Sequence, residues 1–378
     1  MLETLQGRKD MRLLAVTVLL MAIGLLMVYT SSAGLGAARY EGDLHHYFKN
    51  QSVRMLIAFV GMLTAMHVDY RRLRKIAPFL VLAAFAILLA VILPGVGKQV
   101  RGATRWGVIP VQPSELGRFA VVLYLSVFLA KRGEIKSFTR GFLPCAMVVM
   151  GAASLTLLQP SLGSAGALIM VGLVVLYVAG TQLLHLGSVL GAGALAALVC
   201  ILKNPYQLER ILGFIGQGAR YQVKQSLLAL GTGGLIGKGL GGSMQKYLFL
   251  PDPHTDFVFS IYGEETGFIG TLILISLFTY LILRGLKIAR DAPDRFGFLL
   301  ATGLTASIGV FFALNIGVVT GLLPTTGLPL PFISYGGSAL LINAISVGIL
   351  LNISGHRARR IIPSGKTRWR NSMAHLME

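Results

Sequence analysis

Charged side chains are what this sequence has least of, acidic ones above all. Of its 378 residues only 13% are Asp, Glu, Lys or Arg, with 15 acidic against 34 basic, where a soluble domain carries roughly 25% charged residues. Together with a hydrophobic share of 54% and a mean hydropathy of +0.71, that scarcity excludes a water-soluble globular protein. Strand-like alternation is missing too, which leaves α-helices as the open-chain structure that satisfies every backbone group in lipid. Only two cysteines occur. Cys145 and Cys200 fall near opposite ends of separate apolar runs, farther apart than the roughly 7 Å a disulfide tolerates, so both read as core thiols.

What the chain does have is long apolar runs, and about 20 residues suffice to cross a bilayer. Ten are read, near 12–32, 51–68, 76–93, 113–130, 141–158, 161–180, 185–202, 257–283, 298–322 and 334–354. The expected fold class is therefore all-α: a polytopic membrane protein with about ten transmembrane helices, forming one domain over 1–354 with a basic tail at 355–378. The first run exceeds the roughly 7–15 apolar residues of a signal peptide and reads as a helix that stays. Lys and Arg concentrate in the segments that share a side with the N-terminus, "RRLRK" at 71–75 among them, so the positive-inside rule places both termini in the cytoplasm. Basic inner loops face anionic lipid, and the net charge of +19 needs no nucleic-acid partner.

Two outer loops are unusually long, 94–112 and 203–256, and long ordered loops are disproportionately functional. In the second, the apolar positions of "YQVKQSLLAL" suggest a short helix on or in the membrane surface. The glycines that follow include Gly237, Gly239 and Gly242 at G-x-G-x-x-G spacing. No strand precedes them and no Ser or Thr follows "GKG", so a tight irregular turn is read and not a nucleotide loop. The outer cations, Arg101, Arg105, Arg210 and Lys246 among them, suit either lipid headgroups or an anionic, phosphate-bearing substrate.

Ionisable residues inside membrane segments are costly and suggest function. Glu115 and Arg118 share a helix face at i, i+3 spacing, either as a structural ion pair or as the wall of a polar cavity open to the outside. Asp256 and Glu264 fall near one face of the eighth run, with Glu265 beside them. In "LPDPHTDF", Asp256 or Thr255 could cap a helix, or Asp256 could act as a general base. His254 reads as an interface hydrogen-bonding residue, and the absence of metal spacing nearby argues against a protein-built metal site.

Four stretches, "QPSELGR", "YQVKQSLLALGTGGLIGKGLG", "LPDPHTDFVFSIYGEETGFIG" and "NIGVVTGLLPTTGLPLPFISYGGSALL", resemble the SEDS proteins (shape, elongation, division and sporulation), the FtsW and RodA group, with "QSLLALGTGG" and "GLGGSMQKYLFLP" more like the FtsW subgroup. The resemblance implies a peptidoglycan glycosyltransferase that polymerises lipid II at the outer face of the bacterial cytoplasmic membrane. It also implies a class B penicillin-binding transpeptidase as partner, beside other division or elongation proteins. It places the essential aspartate of the family's "HTDF" motif on Asp256, its buried pair on Glu115 and Arg118, and its loop Arg–Trp on Arg105 and Trp106. Ser161 stands where the family has an acidic residue, Phe311 for a usual Gln, Thr266 for a usual Leu and Thr326 for a frequent Lys.

On that basis Asp256 is expected to take the proton of an acceptor sugar hydroxyl attacking the anomeric carbon. The α-linked donor and β-linked product imply a single inverting displacement, so one base suffices. Arg101, Arg105, Arg210 and Lys246 are the expected countercharges for the leaving pyrophosphate, with Trp106, Glu115, Arg118, His254 and Glu264 completing the substrate site. No cofactor is expected within the protein, although a divalent cation could come with the pyrophosphate. The rival expectations are a lipid II flippase and a scaffold that only recruits the transpeptidase.

Overall fold

The computed structural model describes residues 8–93, 98–100, 103–106, 112–132, 138–159, 161–216, 221–246, 249–251 and 253–356. The expected tail, from residue 357 on, and parts of the 94–112 loop lie outside them. Twelve α-helices are described: α1 (Met11–Arg39), α2 (His46–His67), α3 (Leu73–Ala90), α4 (Pro113–Arg132), α5 (Leu143–Leu158), α6 (Leu162–Val178), α7 (Leu183–Lys203), α8 (Pro205–Ile215), α9 (Tyr221–Thr232), α10 (Val258–Arg290), α11 (Arg295–Val319) and α12 (Gly337–Ser354).

Ten of these occupy the ten apolar runs. Seven are long and apolar enough to cross a membrane, α5 and α6 are shorter apolar helices, and α2 is a 22-residue helix of mixed character. This is a multi-pass membrane protein. The expected surface helix is α9, which packs its Ser226 against α10 and α11, the hydroxyl meeting Ser260 Oγ at 2.7 Å and donating to the Val319 carbonyl at 2.7 Å. Nothing in the sequence pattern pointed to α8. Nor did it show an antiparallel hairpin, β1 (Lys98–Val100) with β2 (Ala103–Trp106), in the first long loop; such short strands carry too few residues for an alternation to register.

Two apolar cores fill the bundle. One joins α1, α2, α10, α11 and α12, the other α4 to α7, with α4 and α11 contributing to both. Cys145 is buried in the second core, and Cys200 is half-buried with its thiol toward the Leu157 carbonyl; both are free. The start of α1 and the end of α12 meet on one side, where the Asp10 backbone N–H donates to Ser354 Oγ at 3.0 Å and the Asp10 carboxylate caps α1 and pairs with Arg284. The start of α10 and Asp256 lie on the opposite side, called here the Asp256 side.

α10 is not one helix. At Gly267 the backbone turns to φ 70, ψ −166, a conformation open to glycine and strained for residues with a Cβ. The break leaves backbone groups without helical partners, and the glycine loop after α9 supplies them. Lys238 and Gly239 donate their N–H groups to the Glu264 and Glu265 carbonyls at 3.0 Å, while Phe268 and Ile269 donate to the Gly234 and Leu235 carbonyls at 2.9 and 3.1 Å. Irregular backbone inside a membrane protein is tolerated where protein groups complete it in this way. Just before the break Thr266 donates its hydroxyl to the Tyr262 carbonyl at 2.7 Å, a back-bond of the kind often found where helices bend.

Candidate active site

The segment His254–Thr255–Asp256 sits immediately before α10. Phe257 is the helix N-cap, so neither Asp256 nor Thr255 occupies that position. Instead the backbone of the segment is held from three directions. Tyr335 donates its N–H to the His254 carbonyl at 2.8 Å, Ser334 its hydroxyl to the Thr255 carbonyl at 2.5 Å, and Asn315 of α11 its amide to the Asp256 carbonyl at 2.9 Å. The same Asn315 amide reaches the Leu328 carbonyl at 2.9 Å, which ties the long α11–α12 connection to the segment.

That connection is itself constrained. Phe332 has φ 65, a strained value for a bulky side chain, and it is kept there by two bonds. Leu330 N–H donates to Ser334 Oγ at 2.8 Å and Ser334 N–H to the Leu330 carbonyl at 3.1 Å. Gly24 of α1 lies directly beneath, where a Cβ would come 2.2 Å from the Phe332 carbonyl oxygen. Only a bare backbone allows α1 to approach so closely.

His254 is buried between Tyr47 and Tyr335, with ring centroids 4.7 and 5.3 Å away. Arg54 lies over the Tyr335 ring, 4.7 Å from its centroid. Asp256 is half-buried, so a carboxylate at the edge of the bundle is carried by a backbone with little freedom.

The other expected site residues fall into separate groups. Glu115 and Arg118 pair at 2.5 Å in the first turns of α4. They are 2% and 3% exposed, so the surrounding helices bury the pair. Arg118 also donates to Ser307 Oγ at 2.7 Å and Asn343 Oδ1 at 3.3 Å, and its guanidinium lies 4.0 Å from the centre of the Phe311 ring. Glu264 and Lys246 anchor the glycine loop. Glu264 is fully buried and accepts from Lys238 Nζ at 2.6 Å, Ser243 Oγ at 2.5 Å, Thr232 Oγ1 at 3.2 Å and the N–H groups of Met244 and Gln245 at 3.3 Å. Lys246 bonds the Gly241 carbonyl at 2.5 Å and Glu265 at 3.5 Å.

In that loop Gly237, Gly239 and Gly241 all have positive φ, the tight irregular turn read from the sequence. Arg210 of α8 lines two cavities beside the α11–α12 connection. Ser161 precedes α6 and donates to Ser164 Oγ at 2.9 Å. Arg101 lies outside the described residues; Arg105 and Trp106 are in β2, described by its backbone alone. Among the described residues no group of three or more His, Cys, Asp or Glu is placed to hold a metal ion.

Sequence reasoning missed Asn315, Ser334 and Tyr335 as the residues that hold the Asp256 segment. A polar Asn within an apolar helix was the available signal.

Comparison with known proteins now adds to this geometry. A probable peptidoglycan glycosyltransferase FtsW from Geobacter sp. (strain M18) is 42% identical, covering 91% of this chain and 96% of that protein. Stage V sporulation protein E of Bacillus subtilis (strain 168) is 39% identical over 93% and 99%. Among solved structures, a chain from a peptidoglycan synthase complex that coordinates polymerization and crosslinking superposes with a TM-score of 0.74 at 28% identity, covering 93% of this chain and 99% of that one. The rod shape determining protein RodA of Thermus thermophilus superposes at 0.68 and 27%, covering 92% and 97%. Residues 11–359 match the FtsW/RodA/SpoVE family of cell cycle proteins, and the chain belongs to that family.

Proposed function

We propose that this protein is a peptidoglycan glycosyltransferase that polymerises lipid II, with Asp256 as general base. The observation that carries the proposal is the three-point fixation of residues 254–256 by Tyr335, Ser334 and Asn315 around a half-buried carboxylate. A general base must be held within hydrogen-bond reach of the proton it removes. Fixing the backbone on both sides of the carboxylate, and not the carboxylate itself, achieves that.

In the reaction Asp256 takes the proton of the acceptor hydroxyl as its oxygen bonds to the anomeric carbon of the donor. The bond from that carbon to the pyrophosphate oxygen breaks, and its electron pair leaves with the polyprenyl pyrophosphate. Attack opposite the leaving group inverts the anomeric centre, so a second carboxylate nucleophile is not needed. Arg210, which lines cavities beside the α11–α12 connection, would meet the leaving charge, and a divalent cation would arrive with the pyrophosphate. The Asp256 side faces outward from the bacterial cytoplasmic membrane with both termini inside, and a class B transpeptidase crosslinks the product.

A flippase is less well supported. The buried charged side chains Glu115, Arg118, Glu264 and Glu265 lie in the first turns of α4 and α10 on the Asp256 side, in ion pairs with one another or with the glycine loop. A translocation path needs polar groups through the middle of the membrane.

Glycan formation from labelled lipid II in detergent tests the assignment, with wild type and Asp256→Asn each assayed alone and with a co-purified transpeptidase. We expect the variant to lose activity by about 10²-fold or more while still binding the transpeptidase. Equal polymer from both proteins would place the base elsewhere, and none from wild type with its partner would return the flippase.

A further inference from the structure

The mechanism leaves one cation of α2 unused. Arg54 stands in the third turn, about 12 Å along the axis from His46, between the exposed apolar side chains of Val53 and Leu56. A charge at such a position is costly and by default marks function. Arg54 is half-buried, and among the described residues it pairs with no carboxylate. A long cation that only sought lipid headgroups would extend outward along the helix. Arg54 instead lies over the Tyr335 ring, 4.7 Å from its centroid, with its stem against the first residue of α12, where a Cβ at Gly337 would come 3.2 Å from Arg54 Cδ and 3.5 Å from its Cγ.

That contact belongs to a row. Tyr47, Gln51 and Arg54 recur at i, i+4 and i+7, one face of α2, and each meets part of the segment from Tyr335 to Gly337. The Tyr47 ring centroid lies 5.3 Å from that of Tyr335, and the buried Gln51 side chain accepts the Gly336 N–H at 3.4 Å. Tyr335 in turn reaches the reaction centre. Its N–H donates to the His254 carbonyl at 2.8 Å, two residues before Asp256, and its ring packs against the His254 ring at 5.3 Å.

We propose that Arg54 is a positioning residue: its cation–π contact holds Tyr335 in place, and Tyr335 holds the His254 carbonyl and so the segment that carries Asp256. A guanidinium stacks on an aromatic face, and the attraction grows as the pair is withdrawn from water. Arg54 acts through Tyr335 and touches no reacting atom. A general base displaced by about 1 Å loses on the order of 10²-fold in rate, so a modest hold on the backbone has a large kinetic effect. That effect rests on the proposed role of Asp256; the hold on Tyr335 does not.

The test pairs amide hydrogen exchange at Tyr335 with the steady-state kinetics of glycan formation from labelled lipid II, both on the full-length protein in detergent with its co-purified transpeptidase. Arg54→Met keeps the stem and removes the cation. It should speed exchange at the Tyr335 amide about three- to tenfold and lower turnover about tenfold, with KM as in wild type. Arg54→Lys keeps the charge without the planar stack and should fall between the two. In a Tyr335→Leu background the loss of the cation should have no further effect on turnover. Thermal unfolding identifies any variant that fails to fold, and if Arg54→Met does, Arg54→Gln takes its place. Wild-type exchange and turnover in the folded variant would overturn the proposal, as would equal losses in both backgrounds. A raised KM at unchanged turnover would overturn it too, by placing the guanidinium on the substrate. If wild type makes no polymer while exchange at Tyr335 still responds to Arg54→Met, the assignment of the base fails and the hold on Tyr335 stands.

Discussion

One guanidinium, that of Arg118, joins α4, α11 and α12. Its carboxylate partner Glu115 was legible from the i, i+3 spacing. Ser307 and Asn343 were not, because a lone polar residue in an apolar helix does not say which helix it faces. Phe311, read only as a departure from a usual Gln, turns out to cover the guanidinium face, an attraction that strengthens when the cation is desolvated. Removing one member of a buried pair strands the other charge, at a cost of about 3–5 kcal/mol. Glu115→Ala should therefore lower the melting temperature sharply, and Glu115→Gln with Arg118→Met should recover most of the loss; an additive double variant would contradict this account. Asn315→Ala should behave differently. It removes two bonds to backbone carbonyls, each worth about 1 kcal/mol, and loosens the segment that carries Asp256. Turnover should drop while KM changes little and the melting temperature falls modestly, as steady-state kinetics and thermal unfolding on one preparation would reveal.

At the scale of elements, apolar length alone located the ten helices that fill the apolar runs. It could not reveal the break in α10, since glycine is common in membrane helices and "GEETGFIG" reads as continuous. Nor did the sequence connect the break to the glycine loop, because that pairing is made by backbone groups that any residue possesses. Gly267→Ala forces a Cβ into φ 70 and against Gly237 N and the Leu235 carbonyl, 2.4 and 2.6 Å from where it would sit. Hydrogen exchange should then accelerate at the amides of Lys238, Gly239, Phe268 and Ile269, with helices distant from the loop unaffected. Glu264→Gln, which weakens the charge-assisted bonds from Lys238 and Ser243, should speed exchange at Met244 and Gln245; protection equal to wild type would show that the backbone pairing alone holds the loop.

For the whole molecule, the start of α1, the end of α12 and the connection before α11 form a second fixed region far from Asp256. Asp10 caps α1, meets Ser354 through its backbone and pairs with Arg284. Asn352 accepts from the Tyr70 N–H at 2.9 Å, and Tyr70 donates its hydroxyl to Asp294 at 2.9 Å. Asp10→Ala should thus lower the melting temperature by removing a cap and a charged pair, yet leave polymer formed per folded molecule unchanged. A loss of activity beyond the loss of folded protein would mean that the two sides of the bundle communicate.

The break at Gly267 bears on how force would pass through such a molecule. An unbroken α10 would act as a rigid rod, and a sideways push on its lipid-facing residues Phe268, Ile269 and Leu272 would arrive undiminished at Asp256. With a joint at Gly267, that push is diverted into the glycine loop, and a partner leaning on this helix would move the loop before it moved the carboxylate.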